Sequence, residues 1–106
     1  MERQRSIERF LLAAHRLAMS RLREQPQRVE ELRSVLRRWR EQSGRSHSDR
    51  YWDEWDRLLA MPLDDLERTI CANDEHAAVL RSVSPIGMLI SEAERSELLR
   101  RAREAA

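Results

Sequence analysis

Hydrophobic residues recur every three or four positions along most of the chain, which is the spacing of one face of an α-helix. The densest segment, YWDEWDRLL at 51–59, places Trp52, Trp55 and Leu59 on one face and acidic residues on the other. Large aromatic rings bury about 150–250 Å² each, so we expect the other helices to pack on this one. A tryptophan-centred binding site is the alternative interpretation of the same face.

A stripe of apolar positions from about 5 to 24, including Phe10 and Ala14, predicts a first helix that ends before Pro26. Further apolar residues widen this stripe beyond what packing against one neighbour requires. They are Leu12, Ala13, Leu17 and Met19. Either the helix lies deep in the fold or it offers a second face to a partner.

A second helix is predicted from about 27 to 42, with Val29, Leu32, Leu36 and Trp39 on its apolar stripe. Its outer face is basic and comprises Arg33, Arg37, Arg38 and Arg40. Neighbour pairs such as Glu30 with Arg33 favour a solvated face. A surface that contacts phosphates or an acidic partner is the alternative.

The second half of the chain predicts shorter helices separated by turns. A polar loop covers 43–48, and we expect Ser48 to cap the tryptophan-rich helix that follows it. That helix stops near Pro62, which opens a short fourth helix. Asn73 is the predicted cap of a fifth helix. A capping box at 91–94 predicts a sixth helix, which we expect to fray from residue 100 onward.

The segment LRSVSPIGMLI at 80–90 has no helical stripe and carries Pro85 and Gly87 two positions apart. It is apolar but irregular, so its side chains must be buried against the core or against another protein. Together these elements predict an all-α fold, a compact bundle of five to six helices. A chain of 106 residues is expected to form a single helical domain over 1–106.

Charge is abundant and unevenly placed. Charged residues make up 37% of the chain, all 20 basic residues are arginine, and the net charge is +1. Residues 1–50 carry +6 and residues 51–106 carry −5. Such asymmetry marks either an acidic or nucleic-acid partner or two halves that neutralise each other, and we favour the second interpretation.

Reactive side chains are sparse. Cys71 is the only cysteine, and we find neither a signal peptide nor a membrane-spanning run, so we expect a cytoplasmic protein. The three histidines lie in separate elements, and Cys71 and His76 meet no third orienting group. We therefore predict no catalytic residue, no metal, no cofactor and no membrane contact.

Several fragments together resemble a known family. They are His15-Arg16, Pro26, Leu36-Arg37-Arg38-Trp39, Tyr51, Trp55-Asp56-Arg57-Leu58-Leu59, Leu80-Arg81 with Ser84-Pro85, and Glu94-Arg95. Spanning about 7–100, they resemble the region that follows the DNA-binding head in bacterial helix-turn-helix regulators encoded beside toxin-like enzymes. Some of those regulators act as the antitoxin of a type II toxin-antitoxin pair. The chain begins at that region, so the resemblance implies partner binding and not DNA binding.

The leading hypothesis is an antitoxin-like binding protein, not an enzyme, that neutralises a neighbouring toxin enzyme by occlusion. The predicted partner-binding residues are Arg81, Ser84, Pro85, Ile86, Met88, Leu12 and Met19. One alternative is a nucleic-acid-binding or transcription-regulatory module using Arg33, Arg37, Arg38 and Arg40. A sequence pI of about 8.0 is below the value above 9 typical of a dedicated nucleic-acid binder. A homodimeric adaptor built on the first helix is the other alternative.

Overall fold

A long N-terminal helix lies along the remaining elements of the fold. The structure is a computed structural model that describes residues 2–105, with side chains from residue 4 onward. This part of the chain contains six α-helices and no strand, which confirms the predicted all-α bundle. The helices are α1 (Glu2–Glu24), α2 (Val29–Ser43), α3 (Asp49–Leu59), α4 (Leu63–Ile70), α5 (Glu75–Ser82) and α6 (Glu92–Glu104). Two 3-10 turns, Pro26–Arg28 and Ile86–Leu89, connect neighbouring helices.

The N-terminal helix boundaries follow the sequence signals. Helix α1 ends at Glu24, and Pro26 lies at the start of a 3-10 turn, where its missing N–H is tolerated. Helix α2 ends at Ser43 and is followed by Gly44, whose φ of 62° lies in the left-handed region that favours glycine. The Gly44 N–H donates to the carbonyl oxygen of Arg40 at 3.1 Å, which satisfies one of the last carbonyls of the helix.

Helix caps agree with the prediction at one helix and differ at two. The Ser91 hydroxyl accepts from the Glu94 N–H at 3.1 Å, and the Glu94 carboxylate accepts from the Ser91 N–H at 2.8 Å, so the capping box is confirmed. The predicted Asn73 cap is wrong, because Asp74 accepts from the Ala77 N–H at 2.8 Å. Ser48 precedes α3 but makes no side-chain cap bond, since its backbone is already helical.

The last helix is longer than expected. We predicted fraying from residue 100, but α6 continues to Glu104. Glu97, Arg100, Arg101 and Glu104 are joined by ion pairs at three- and four-residue spacing, including Arg100 to Glu104 at 2.6 Å. Ion pairs at this spacing stabilise a helix, and here they act on its last two turns.

The main core surrounds Trp55, but the packing centre is α1. Trp55 is fully buried, and Leu58 and Leu59 of the same helix join it. Helix α3 itself makes its main contacts with α2 and α4, whereas α1 contacts α4, α5, α6 and both 3-10 turns. The buried side chains thus cluster around Trp55, but the other helices pack mainly on α1. The expectation that they pack on the tryptophan-rich helix is therefore wrong. The reason is length, since only the 23-residue α1 spans the whole fold.

Helix α6 runs antiparallel to α1. Arg21 near the end of α1 pairs with Glu94 at the start of α6, and Arg9 donates to the carbonyl oxygen of Ala102 near its end. A second, smaller core of Phe10, Ala14 and Ala102 lies between the two helices.

Ion pairs across the two halves of the chain explain the charge asymmetry. Arg21, Arg23 and Arg40 belong to the basic half, and each pairs with carboxylates of the acidic half. The pairs are Arg21–Glu94, Arg23–Asp64 (2.8 Å), Arg23–Glu67 (2.6 Å), Arg40–Asp53 and Arg40–Asp56 (2.8 Å). The two halves thus neutralise each other within the fold, as we had favoured.

Candidate functional site

Most of the predicted partner-binding segment at 81–88 lies inside the fold. Pro85 and Ile86 are fully buried, and Ile86 belongs to the main core. The Ser84 hydroxyl accepts from the Ile86 N–H at 3.0 Å, a local bond that shapes the entry to the Ile86–Leu89 turn. Because the monomer already encloses Pro85 and Ile86, a rigid partner has no access to them.

Arg81 is also inside, with only 7% of its surface exposed. Its Nη1 donates to the carbonyl oxygens of Ile70 at 2.7 Å and Ala72 at 3.0 Å. These bonds join α5 to the end of α4. Arg81 is a predicted partner-binding residue, and in this inward position it can meet only a partner group that enters the cleft beside it.

The remaining predicted residues differ in accessibility. Met19 is fully buried in the main core. Met88 is 43% exposed, Ser84 is half-buried, and Leu12 is half-buried beside a cleft. A partner-binding role remains a prediction for Arg81, Leu12, Ser84 and Met88. Arg81 and Leu12 border one cleft, which neither Ser84 nor Met88 lines.

Two adjoining clefts lie between the N-terminal half of α1 and α5. One of about 400 Å³ is bordered by Arg5, Arg9, Leu12 and Arg81, and the other, of about 740 Å³, by Ile7, Leu11 and Val79. Both clefts have Glu8, Glu75 and Ala78 in their walls. They therefore form one continuous surface, which we call the α1–α5 groove.

The α1–α5 groove carries exposed hydrophobic side chains. Four large hydrophobic residues are exposed within the described part of the chain: Ile7 (39%), Met61 (43%), Val79 (37%) and Met88 (43%). Ile7 and Val79 border the same cleft, and the half-buried Leu11 also lines it. Both residues occupy apolar positions that the sequence pattern assigns to the core, so their exposure was not predicted. The excess apolar width of the first helix indicated only that α1 has more apolar surface than one neighbour covers.

The basic face of α2 is partly neutralised. Arg40 pairs with Asp53 and Asp56, and Arg33 lies 3.9 Å from Glu30. Arg37 and Arg38 are exposed and make no ion pair with any residue in 4–105. The cleft beside this face also has Glu41 and Asp56 in its wall, so the surface has mixed charge. This mixture weakens the nucleic-acid alternative, because phosphate binding needs uncompensated positive charge.

His15, one turn after Leu11 on α1, is only 3% exposed. Its Nδ1 is 2.7 Å from the carbonyl oxygen of Leu11, so Nδ1 carries the proton and donates. Its Nε2 is buried and has no hydrogen-bond partner in the described structure. Burial lowers the pKa of His15 to about 4, and the positive charge of Arg81 acts in the same direction. The side chain is therefore neutral at pH 7.

Cys71 and His76 do not form a nucleophile and base. The His76 Nε2 lies 2.8 Å from the Glu54 carboxylate oxygens, and burial raises the pKa of the Cys71 thiol. Among the described side chains, no three His, Cys, Asp or Glu residues meet in a metal-binding arrangement. None of the helices described is both long enough and apolar enough to cross a membrane.

Comparison with known proteins finds no relative: no family model fits the chain, and no curated protein or solved structure is significantly similar to it. The resemblance to the antitoxin-like regulators therefore stays a prediction.

Proposed function

We propose that this protein is a non-catalytic binding protein that docks on a partner protein through the α1–α5 groove. Following the resemblance, the partner is a toxin-like enzyme encoded beside it, and binding blocks that enzyme by occlusion. The observation that supports this proposal is the joint exposure of Ile7 and Val79 at one concave surface. Exposed apolar side chains gathered in a groove are typical of a protein-binding site.

The groove fits a short helical segment of the partner. Its α1 wall runs from Gln4 to Leu12, which is about 13 Å, or slightly more than two helical turns. An amphipathic helix presents apolar side chains at this spacing, so two of them meet Ile7, Leu11 and Val79 together. The rim carries Arg5, Glu8 and Glu75, a mixture of charges that suits a protein surface better than a polyanion.

Apolar contact alone gives modest affinity. Fully burying such a side chain contributes about 1.5–3 kcal/mol, and Ile7 and Val79 have little more than a third of their surface left to bury. Each therefore contributes about 1 kcal/mol or less. A stable complex requires polar contacts at the same groove as well.

Co-expression with the product of the adjacent gene tests the proposal. We expect the two proteins to co-purify and the neighbour's toxicity to be relieved. Ile7→Glu and Val79→Glu should each weaken the complex because they place a charge against the apolar segment. Met61→Glu is the matched control, because Met61 is equally exposed but lies outside the groove. Absence of any complex, or equal effects at Ile7 and Met61, would contradict the proposal.

Mass measurement of the isolated protein separates the proposal from the homodimer alternative. We expect a monomer of 12.6 kDa. A species of twice that mass that Ile7→Glu converts to monomer would assign the groove to a second copy of the chain instead.

A further inference from the structure

We propose that the end of the α1–α5 groove formed by Arg81, Arg9 and Arg5 binds a single carboxylate, an aspartate or glutamate side chain of the partner. This inference rests on the proposed function, and it supplies the polar contact that the apolar part of the groove requires.

Arg81 is a buried cation that forms no ion pair with any carboxylate of residues 4–105. Its guanidinium contacts two backbone carbonyls, and no carboxylate of the described residues lies within ion-pair distance of it. Nη2 and Nε make no hydrogen bond with the described residues, and neither is sealed from solvent. Arg81 borders the 400 Å³ cleft and keeps 7% of its surface exposed, so we infer that a ligand reaches these donors through the cleft. Two adjacent guanidinium nitrogens can donate one hydrogen bond to each oxygen of the same carboxylate, which is a bidentate ion pair.

Arg9 and Arg5 add positive charge to the same cleft. Nε and Nη2 of Arg9 donate to the carbonyl oxygen of Ala102, at 3.2 and 3.0 Å, which fixes the side chain and leaves Nη1 without a hydrogen bond to residues 4–105. Arg5 is exposed and has no ion-pair partner in that range. Three arginines thus border one cleft, and none of them forms an ion pair with a carboxylate of residues 4–105.

Three acidic residues also border the cleft, and they limit what it can bind. Glu8, Asp74 and Glu75 are exposed, and Asp74 already caps α5 through the Ala77 N–H. Exposed charges are screened by water and salt, whereas the buried Arg81 acts in a lower dielectric. A single carboxylate that reaches Arg81 is therefore attracted by Arg81 more strongly than it is repelled by the three acidic residues of the rim. A polyanion such as nucleic acid or a polyphosphate extends over the acidic rim and is repelled.

The isolated protein can be titrated with N-acetyl-glutamate methylamide and, as the neutral control, the glutamine analogue. NMR detection of the Arg81 Nε–H signal and the Ala78 amide reports on the cleft directly. We expect saturable shifts with the glutamate compound and none with the glutamine compound at equal ionic strength. Equal responses to both compounds, or tighter binding of inorganic phosphate at the same signals, would overturn the inference.

Three variants distinguish binding of the glutamate compound at the cleft from a general effect of the protein's positive charge. Arg81→Lys keeps the charge but loses the fork, so we expect about tenfold weaker binding of the glutamate compound. Arg5 is exposed, so we expect Arg5→Gln to leave the fold intact and to weaken binding of the glutamate compound by about threefold. Arg37→Gln on α2 is the charge-matched control and should have no effect. If Arg37→Gln weakens binding as much as Arg5→Gln, the response is non-specific and the inference is wrong.

The two proposals fail independently. A partner complex that forms although the glutamate compound does not bind would overturn the carboxylate site and leave the docking function intact. Binding of the glutamate compound without any partner complex would support the site and contradict the docking function.

Discussion

The Nε1 of Trp55 donates a hydrogen bond to the carbonyl oxygen of Leu80 at 3.0 Å, and both residues are fully buried. This bond joins α3 to α5 across 25 positions of sequence. Trp52, three positions earlier on α3, has a buried Nε1 that finds no partner in the described structure. Two neighbouring tryptophans of one helix thus differ in whether their polar atom is satisfied.

We expect Trp55→Phe to lower the free energy of unfolding by about 2–3 kcal/mol, through the lost hydrogen bond and the cavity left by the smaller ring. Trp52→Phe removes an unpaired buried donor, so it should cost at least about 1 kcal/mol less. Urea unfolding followed by far-ultraviolet circular dichroism compares the two variants. Equal losses of stability would show that the Trp55–Leu80 bond contributes little.

Stability should fall as pH is lowered from about 6.5 to about 4, because of His15. The unfolded chain takes up a proton at His15 near pH 6.5, whereas the folded protein resists protonation until about pH 4. The contribution of the neutral His15 side chain to the free energy of unfolding is therefore fully present above pH 6.5 and is lost as the pH falls from about 6.5 to about 4. Its total is on the order of 3 kcal/mol.

His15→Gln tests the origin of this pH dependence. The glutamine amide can donate to the Leu11 carbonyl but does not titrate, so unfolding curves of the variant should lose the slope between pH 6.5 and 4. Glu94 acts at lower pH, since its bonds to Arg21 and to Ser91 lower its pKa to about 2. A His15→Gln variant that keeps the full slope above pH 4.5 would contradict the assignment.

Ser91→Ala should destabilise the protein by about 1 kcal/mol, because it removes the hydroxyl that accepts from the Glu94 N–H. Ser96→Ala is the matched control: Ser96 is exposed in the interior of α6, where alanine is the better helix former. Thermal unfolding should place Ser91→Ala below the parent protein and Ser96→Ala level with it or above it. The reverse order would show that the capping box is energetically unimportant.

Arg40→Glu should destabilise the protein more than Arg37→Glu, and the difference should shrink at high salt. Arg40 lies between Asp53 and Asp56, so the reversed charge meets two carboxylates. Arg37 is exposed and has no ion-pair partner among residues 4–105. Urea titrations at low and high NaCl measure the difference, and identical stabilities at low salt would contradict it.

An Arg37→Glu, Arg38→Glu double variant separately tests the nucleic-acid alternative. Nucleic-acid binding that weakens steeply with added salt and is lost in this variant would favour that alternative over the proposed docking function.

The fold was predictable because its helices are defined locally. The spacing of Phe10, Ala14 and their neighbours predicted α1, and the proline at 26 predicted its end. The capping box at Ser91 and Glu94 could be predicted from the sequence because both of its hydrogen bonds join residues three positions apart. Even local reasoning missed the cap of α5 by one residue, since Asn73 and Asp74 are both good caps and the packing of α5 selects between them.

The candidate site was much less predictable. The sequence indicated an irregular apolar segment near Pro85 but not whether the core or a partner covers it, and the tertiary structure buries Pro85 and Ile86. It also indicated excess apolar width on α1, yet only the packing of the other elements on α1 decides that Met19 is enclosed in the main core while Ile7 stays exposed.

By itself, therefore, the sequence determined the all-α class, the approximate helix boundaries and the opposite charges of the two halves. These follow from composition and from contacts within about one helical turn. The tertiary structure decided the packing centre, the inward position of Arg81 and the existence of the α1–α5 groove. Those features depend on contacts between residues tens of positions apart, as Trp55 with Leu80 and Arg9 with Ala102 show. Such contacts are set by the packing of whole helices, which no local pattern encodes.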